Sequence, residues 1–248
     1  DGKGSKQSPT YYDSDISKTN TKMGTGEVVT LYTDNYLRWY HNLSIGTEPS
    51  TRLQVAQQTI TDLISTAPSV DFGLQIFNLD FPYEGDRDGG RVIFGIQNMD
   101  DTVRAAYTSA INGITAETNT PLCESLFEAA AYFGGKAVKF GKEDSNYQSL
   151  SYKGNKPPRD TNIESGGNYV SPFTGCSNQV YVILITDGVP TLDNSADGEI
   201  AALKASANPA LVSSPMEVKG KNNSLNVLAE WMHTNDINTK IDGNQYAN

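Results

Sequence analysis

VYVILITDGVPT, residues 180–191, joins a continuous apolar run at 180–185 to a turn that starts at Asp187. The run shows neither the helical period nor strict alternation, so it predicts a strand buried on both faces, as in a parallel sheet. Ligands of such sheets bind beyond the carboxyl ends of the strands. Asp187 is therefore a candidate site residue, although Asp187-Gly188 also makes a turn by itself, with Pro190 preventing an immediate helix.

The composition narrows the class of protein and its partners. The chain has 248 residues, 29 acidic and 19 basic, with a net charge of −10. Such a length suits a single α/β domain, and such a charge disfavours nucleic acid and anionic membranes as partners. The sequence contains no apolar segment long enough to span a bilayer and does not open with a signal peptide. Its start at Asp1 suggests a mature or excised piece.

Helix and strand patterns alternate along the chain after a polar start. Residues 1–26 are rich in Gly, Ser, Lys and Thr and are expected to form an irregular arm. The spacing of apolar residues then predicts helices at 51–65, 99–115, 119–135, 198–206 and 224–236. Apolar runs bounded by turn residues predict strands at 70–78, 91–97 and 180–186. Residues 136–178 are too long and polar for an ordinary connection and indicate an insertion. The order predicts an α/β fold with a doubly wound, Rossmann-like sheet.

The predicted helix at 119–135 has local start and stop signals. Thr120 is expected to cap it, with Pro121 at its first position and Gly134-Gly135 ending it. The two cysteines, Cys123 in this helix and Cys176, match no zinc spacing, and a disulfide between them is one prediction. A low-pKa thiolate at Cys123, favoured by the helix dipole, is a weaker alternative because no base is apparent.

The order of elements resembles a von Willebrand factor A domain. NYLRWYHN, TRLQVAQQTITDLI, VDFGLQIFN, NTPLCESLFEAAAYF, YVSPFTGCSN and YVILITDGVPTLD are together similar to the A region of type IV pilus tip-associated adhesins, the PilC/PilY family, across most of residues 35–248. The resemblance implies Mg²⁺ or Mn²⁺ at the carboxyl edge of the sheet, held by an Asp-x-Ser-x-Ser loop, a threonine and an aspartate. Thr120 and Asp187 match the last two, and an open metal position would take a carboxylate of the partner.

The Asp-x-Ser-x-Ser loop itself has no good match in the sequence. Asp13 has suitable offsets but follows a poor strand, whereas Asp34 follows the better strand EVVTLYT but has Tyr36 and Arg38 at the serine positions. We therefore expect an incomplete metal site and an A-type domain, residues 27–248, that lacks its first central strand and its last strands, as an excerpt of a larger protein. EVVTLYT or another segment would fill the gap between strands 70–78 and 180–186.

A second acidic stretch, DNSADGE, begins the next predicted helix. Asp193, Ser195 and Asp197 have the early spacing of a calcium loop, but Lys204 stands where the bidentate glutamate belongs. Acidic residues at a helix start explain the stretch better, so Ca²⁺ is less favoured than Mg²⁺ or Mn²⁺.

Three functional classes follow from these patterns. The leading one, implied by the resemblance, is a non-enzymatic adhesion and assembly module at the tip of a type IV pilus, extracellular on a bacterial surface. Its expected partners are minor pilins, other pilus tip proteins and a host-cell or surface ligand. The alternatives are a metal-dependent hydrolase on a doubly wound fold, with Asp187 as ligand or base, and a degenerate A-domain that serves as a structural platform.

Overall fold

The structure, a computed structural model, describes residues 51–78, 89–116, 119–142, 157–175 and 180–248, which fall within one unit, Thr51–Asn248. The expected arm at 1–26, the EVVTLYT strand, and the candidate aspartates Asp13 and Asp34 lie outside the described residues. The described part is a mixed α/β structure. In it, no helix is long and apolar enough to cross a membrane.

The elements alternate in much the way the sequence patterns predict. The helices are α1 (Arg52–Thr66), α2 (Asp101–Asn112), α3 (Leu122–Phe133), α4 (Asp197–Ser206) and α5 (Leu225–Thr234). The strands are β1 (Phe72–Phe77), β2 (Gly90–Gln97), β3 (Glu164–Ser165), β4 (Asn168–Tyr169), β5 (Met216–Val218) and β6 (Lys221–Asn223). The five helices predicted from sequence and the strands at 70–78 and 91–97 are thereby confirmed.

Local capping explains where the first two helices begin. Thr51 accepts a hydrogen bond from the Gln54 amide, and the Gln54 side chain accepts one from the Thr51 amide, which completes a capping box at α1. Asp100 caps α2 by accepting from the Val103 amide at 2.8 Å. Each cap satisfies amide groups that have no partner within the helix.

The antiparallel hairpin β1–β2 contributes to two apolar clusters. Phe72, Leu74 and Phe94 pack with α1 and α2 around the buried Tyr107, whose hydroxyl is 2.7 Å from the Phe72 carbonyl and 3.1 Å from the Gly95 carbonyl. Other residues of β2 join the larger cluster formed with α3, α4 and α5. That cluster includes Val92, Leu126, Phe133, Ile200, Leu228 and Met232.

The described part of the predicted insertion is ordered along the second edge of β2. The Asp160 amide donates to the Val92 carbonyl at 2.8 Å, and its carboxylate accepts from the Gly95 amide at 3.0 Å. Gly95 is needed here, because a Cβ on it would lie 2.4 Å from Cγ2 of Ile163. A 3-10 turn, Thr161–Ile163, and the β3–β4 hairpin follow. Asp160 and its neighbours in this part of the insertion therefore cover the edge of β2 that β1 leaves unpaired.

Residues 180–186 form no strand, apart from an isolated bridge between Val180 and Ala247, so the prediction of a buried strand is wrong in both its structure and its burial. Tyr181 and Ile183 are 67% and 65% exposed. One edge bonds the chain's last residues: the Val182 amide donates to the Asn248 carbonyl, and the Asn248 amide donates to the Val180 carbonyl. A strand of a parallel sheet becomes buried only when neighbours cover its edges and faces, and the apolar run by itself does not supply them.

The doubly wound parallel sheet does not form within the described residues. Their sheets are three two-stranded antiparallel pairs, β1–β2, β3–β4 and β5–β6. In this part of the chain β1 pairs with β2 and makes no ladder with residues 180–186. The expectation that a further central strand separates these two stretches therefore stays a prediction.

Candidate functional site

Asp187, the predicted metal ligand after the apolar run, lies in an exposed turn. Its carboxylate is 3.1 Å from the Arg52 guanidinium at the start of α1, and the two side chains are 63% and 80% exposed. Solvent screening at such exposure limits an ion pair to about 0–1 kcal/mol. The pair thus gives Asp187 a cationic neighbour without fixing it firmly.

Thr120, the other predicted ligand, joins the loop that follows Asp187. The Thr191 amide donates to the Thr120 carbonyl at 3.2 Å, and the Thr120 amide donates to the Thr191 hydroxyl at 3.1 Å. The structure therefore brings the two sequence motifs, NTPL and TDGVPT, next to each other. Thr120 does not cap α3 as predicted, because the helix begins at Leu122 with Pro121 at its N-cap and no side-chain cap from that residue.

Asp193 performs the capping that the sequence assigned to Thr120. It is buried, and its Oδ1 accepts from the Cys123 amide at 2.6 Å while its Oδ2 accepts from the Asn223 side-chain amide at 2.6 Å. A carboxylate at the positive end of α3 also interacts favourably with the helix dipole. Sequence reasoning placed Asp193 at the start of the next helix. The signal against that assignment was its distance from α4, which begins four residues later at Asp197.

Leu192 connects the two anchored residues Thr191 and Asp193 in a strained conformation. Its φ of +50° lies in the left-handed region, which costs a residue with a Cβ about 1–2 kcal/mol. The hydrogen bonds on either side impose this conformation. The loop 191–196 is therefore held against α3 under local strain, a feature that concentrates at functional sites.

Glu124 extends the same buried cluster. It is fully buried in the first turn of α3, and its Oε1 accepts from the Ala196 amide at 3.0 Å. Burial is the main cause that raises the pKa of the Glu124 carboxyl to about 10, and the neighbouring Asp193 carboxyl acts in the same direction. Glu124 was not among the residues predicted from sequence, where its helical position gave no sign of burial.

Glu128, one turn further along α3, anchors the start of the insertion. It is fully buried and accepts hydrogen bonds from the Phe140 amide at 2.8 Å, the Tyr169 hydroxyl at 2.6 Å and the Lys139 amide at 3.2 Å. Burial raises the pKa of Glu128, whereas these hydrogen bonds lower it. Its role in the structure is to tie residues 137–141 and β4 to α3.

Cys123 is a fully buried thiol that forms no disulfide with another described residue. Burial, and after it the charges of Asp193 and Glu124, raises the pKa of the Cys123 thiol well above its ordinary value. The alternative of a low-pKa, reactive thiolate is therefore wrong, because desolvation outweighs the helix dipole at this position. Cys176 lies outside the described residues, so the disulfide with Cys123 stays a prediction.

The predicted metal ligands do not form a complete site by themselves. Within the described ranges, no three His, Cys, Asp or Glu residues are grouped as metal ligands. Asp187 faces the Arg52 guanidinium, and both backbone groups of Thr120 are engaged by Thr191 and by the Leu122 amide. An octahedral Mg²⁺ or Mn²⁺ needs six oxygen ligands, so these two side chains leave most of its coordination to water.

An exposed apolar strip precedes and surrounds Asp187. We define this strip by five residues with exposed side chains in the stretch 181–189, namely Tyr181, Ile183, Leu184, Ile185 and Val189. Single exposed apolar residues are common, but consecutive ones indicate an interaction surface. The strip and the Thr120–Thr191 bridge belong to the same stretch of chain, 180–191.

Comparison with known proteins adds one match. A family model described as a domain of unknown function, DUF8355, matches residues 1–42. No curated protein and no solved structure matches the chain. The match falls outside the described residues and therefore does not include the candidate site.

Proposed function

We propose that the chain is a non-enzymatic adhesion and assembly module at the tip of a type IV pilus, built on a von Willebrand factor A-type domain. The observation that carries the proposal is the exposed apolar strip, which runs directly into Asp187. The resemblance of residues 35–248 to the PilC/PilY family supplies the biological setting. Minor pilins or other pilus tip proteins are the proposed partners, together with a host-cell or surface ligand outside a bacterial cell.

The strip favours binding to protein rather than to a small molecule. Its residues lie outside helices and strands and expose apolar side chains to solvent, and a partner strand binds such a segment through main-chain hydrogen bonds and side-chain contacts. Within the described residues, one edge of the segment bonds Asn248 through the Val182 amide and the Val180 carbonyl. A partner strand that covered the strip would bury Tyr181 and Ile183 together and remove a continuous apolar surface from water.

The test of this function is binding of the 248-residue chain to type IV pili sheared from the organism that encodes it. We expect saturable binding, weakened when the strip carries a charge. Turnover of phosphate esters that is lost in Asp187→Ala would instead support the hydrolase alternative. Pilus binding that ignores both the strip and divalent metal would support a structural platform.

Magnesium binding by this chain is expected to be weak. Two candidate ligands replace few waters of the Mg²⁺ shell, and the Arg52 guanidinium 3.1 Å from the Asp187 carboxylate opposes a second cation there. Calorimetry on residues 1–248 should give a dissociation constant weaker than about 1 mM, with Asp187→Ala nearly indistinguishable from the wild type. Strong metal-dependent adhesion is expected in a longer chain that supplies an Asp-x-Ser-x-Ser loop, and Asp187→Ala should abolish it there.

The opposite calorimetric result has a clear meaning. Tight magnesium binding by residues 1–248 that disappears in Asp187→Ala would show that the chain contains further ligands. Thr191→Ser is the matched control, because it keeps the hydroxyl that accepts from the Thr120 amide.

A further inference from the structure

Glu124 is a buried acid that neither the predicted metal ligands nor the apolar strip uses. Its side chain has no solvent exposure, and its Oε1 accepts one hydrogen bond from the Ala196 amide. Its Oε2 is buried and has no hydrogen-bond donor within the described residues. An ionised carboxylate in this position would leave one charged oxygen without a hydrogen-bond donor, which is costly in a protein interior.

The neighbours of Glu124 make an ionised carboxylate still less favourable. The charged group that faces it is Asp193 in the loop 191–196, and the thiol of Cys123 precedes it on α3. Just before β2, Gly89 approaches Glu124 with its backbone, and a Cβ there would lie 2.9 Å from the Glu124 Cβ. No basic side chain is paired with either acid in the described part of the chain.

We propose that Glu124 and Asp193 share one proton at neutral pH, and that this proton latches the loop 191–196 onto the start of α3. The proton resides on Glu124 Oε2, which donates to the Asp193 carboxylate. The Asp193 carboxylate already accepts two hydrogen bonds, from the Cys123 amide and from Asn223, whereas Glu124 Oε2 accepts none within the described residues. Two carboxyl groups in contact ionise in separate steps that belong to the pair.

Loss of the proton to solvent base leaves two adjacent buried negative charges. The loop 191–196 is the element that can relieve this repulsion, because it carries Asp193 and the strained Leu192. Its release breaks the capping bond to the Cys123 amide and weakens the Thr120–Thr191 bridge. The arrangement of the candidate site therefore depends on pH, because the loop 191–196 is released when alkaline conditions remove the shared proton.

The direction of the pH effect follows from proton linkage. The pKa of Glu124 is raised from 4.5 to about 10 by burial and by Asp193. Between these values the folded chain keeps a proton that the unfolded chain has lost, so the stability it contributes is complete below the unfolded pKa and declines as the pH rises. Burial also raises the pKa of Glu128, so Glu128 adds to the pH dependence of stability in every variant. The contribution of Glu124 is therefore measured as the difference in pH dependence between wild type and a Glu124 variant.

The experiment compares urea unfolding of wild type and Glu124→Gln at about pH 5 and about pH 8. We expect the folded-to-unfolded ratio of the wild type to fall at least tenfold more than that of Glu124→Gln over this range, which corresponds to about 1.4 kcal/mol. The glutamine keeps the shape and supplies an N–H donor to Asp193 at every pH. Glu217→Gln, at an exposed glutamate of β5, should retain the wild-type pH dependence. Equal pH dependence in wild type and Glu124→Gln would overturn the proposal.

A second measurement decides the matter even if Glu124→Gln fails to fold. Carbon-13 NMR of wild-type protein labelled at glutamate carboxyl carbons should show a protonated carboxyl at about pH 7 that persists in Glu128→Gln. Its absence, or its loss in Glu128→Gln while that variant remains folded, would show that Glu124 is ionised and would refute the latch.

Discussion

Replacing Glu128 by alanine is expected to lower the free energy of unfolding by about 3–5 kcal/mol. The substitution leaves the Phe140 amide and the Tyr169 hydroxyl, both in the interior, without their acceptor, and it weakens the bond made by the Lys139 amide. Each unsatisfied buried donor costs about 1–3 kcal/mol. Urea unfolding followed by circular dichroism measures the change directly.

The controls for this prediction separate lost hydrogen bonds from lost charge. Glu128→Gln keeps one side-chain oxygen acceptor and should cost less than Glu128→Ala, and Glu217→Ala at an exposed position should change stability by less than about 0.5 kcal/mol. A loss below about 1 kcal/mol in Glu128→Ala would mean that the contacts to residues 137–141 and to Tyr169 are not part of the folded core.

Asp193→Ala is the second substitution for which we expect a large loss, about 2–4 kcal/mol. It removes the cap from the Cys123 amide and the acceptor of the buried Asn223 side chain. Hydrogen–deuterium exchange should show the effect first in the opening turn of α3, because that turn loses its cap. Global stability is measured by urea unfolding.

Asp187→Ala is the matched control for Asp193→Ala, since the two aspartates lie six positions apart in one loop region and differ in burial. The Arg52–Asp187 pair is exposed on both sides, so its loss should cost no more than about 0.5–1 kcal/mol. Equal losses in the two variants would contradict the assignment of the cap to Asp193.

The helices and the β1–β2 strands were predictable because their signals are local. Thr51 and Asp100 cap helices from adjacent positions, and the apolar periodicity of α1 and α2 matches the faces that pack around Tyr107. Gly134 likewise ends α3 where the sequence predicts. Such patterns need no knowledge of the rest of the fold.

The site residues were less predictable because their partners are distant in sequence. Asp193 caps a helix 70 positions away, and Glu128 accepts from Tyr169 at a separation of 41. A polar residue in a helix normally indicates a solvent-facing position, so burial of Glu124 and Glu128 has no sequence signature. Thr120 is a local signal that failed: the sequence places it where a helix cap is favourable, but in the structure it forms a bridge with Thr191.

The burial of residues 180–185 was mispredicted for a related reason. An apolar run indicates that a segment can be buried. The segments that would cover it are distant in sequence, so the run alone does not predict burial. Within the described residues the C-terminal Ala247 and Asn248 approach one edge of this run. The same composition that misled the prediction of burial supports the proposal of a binding surface.

The most direct measurement of the central proposal is the affinity of residues 1–248 for type IV pili sheared from the encoding organism, with a charge introduced into the strip. Ile183→Asp, at a side chain 65% exposed, should weaken binding at least about tenfold while leaving unfolding unchanged, since burying an unpaired carboxylate at an interface costs more than 1.4 kcal/mol. Val212→Asp, at a valine 90% exposed outside the strip, should bind like the wild type. Absence of wild-type binding, or equal weakening in both variants, would contradict the account.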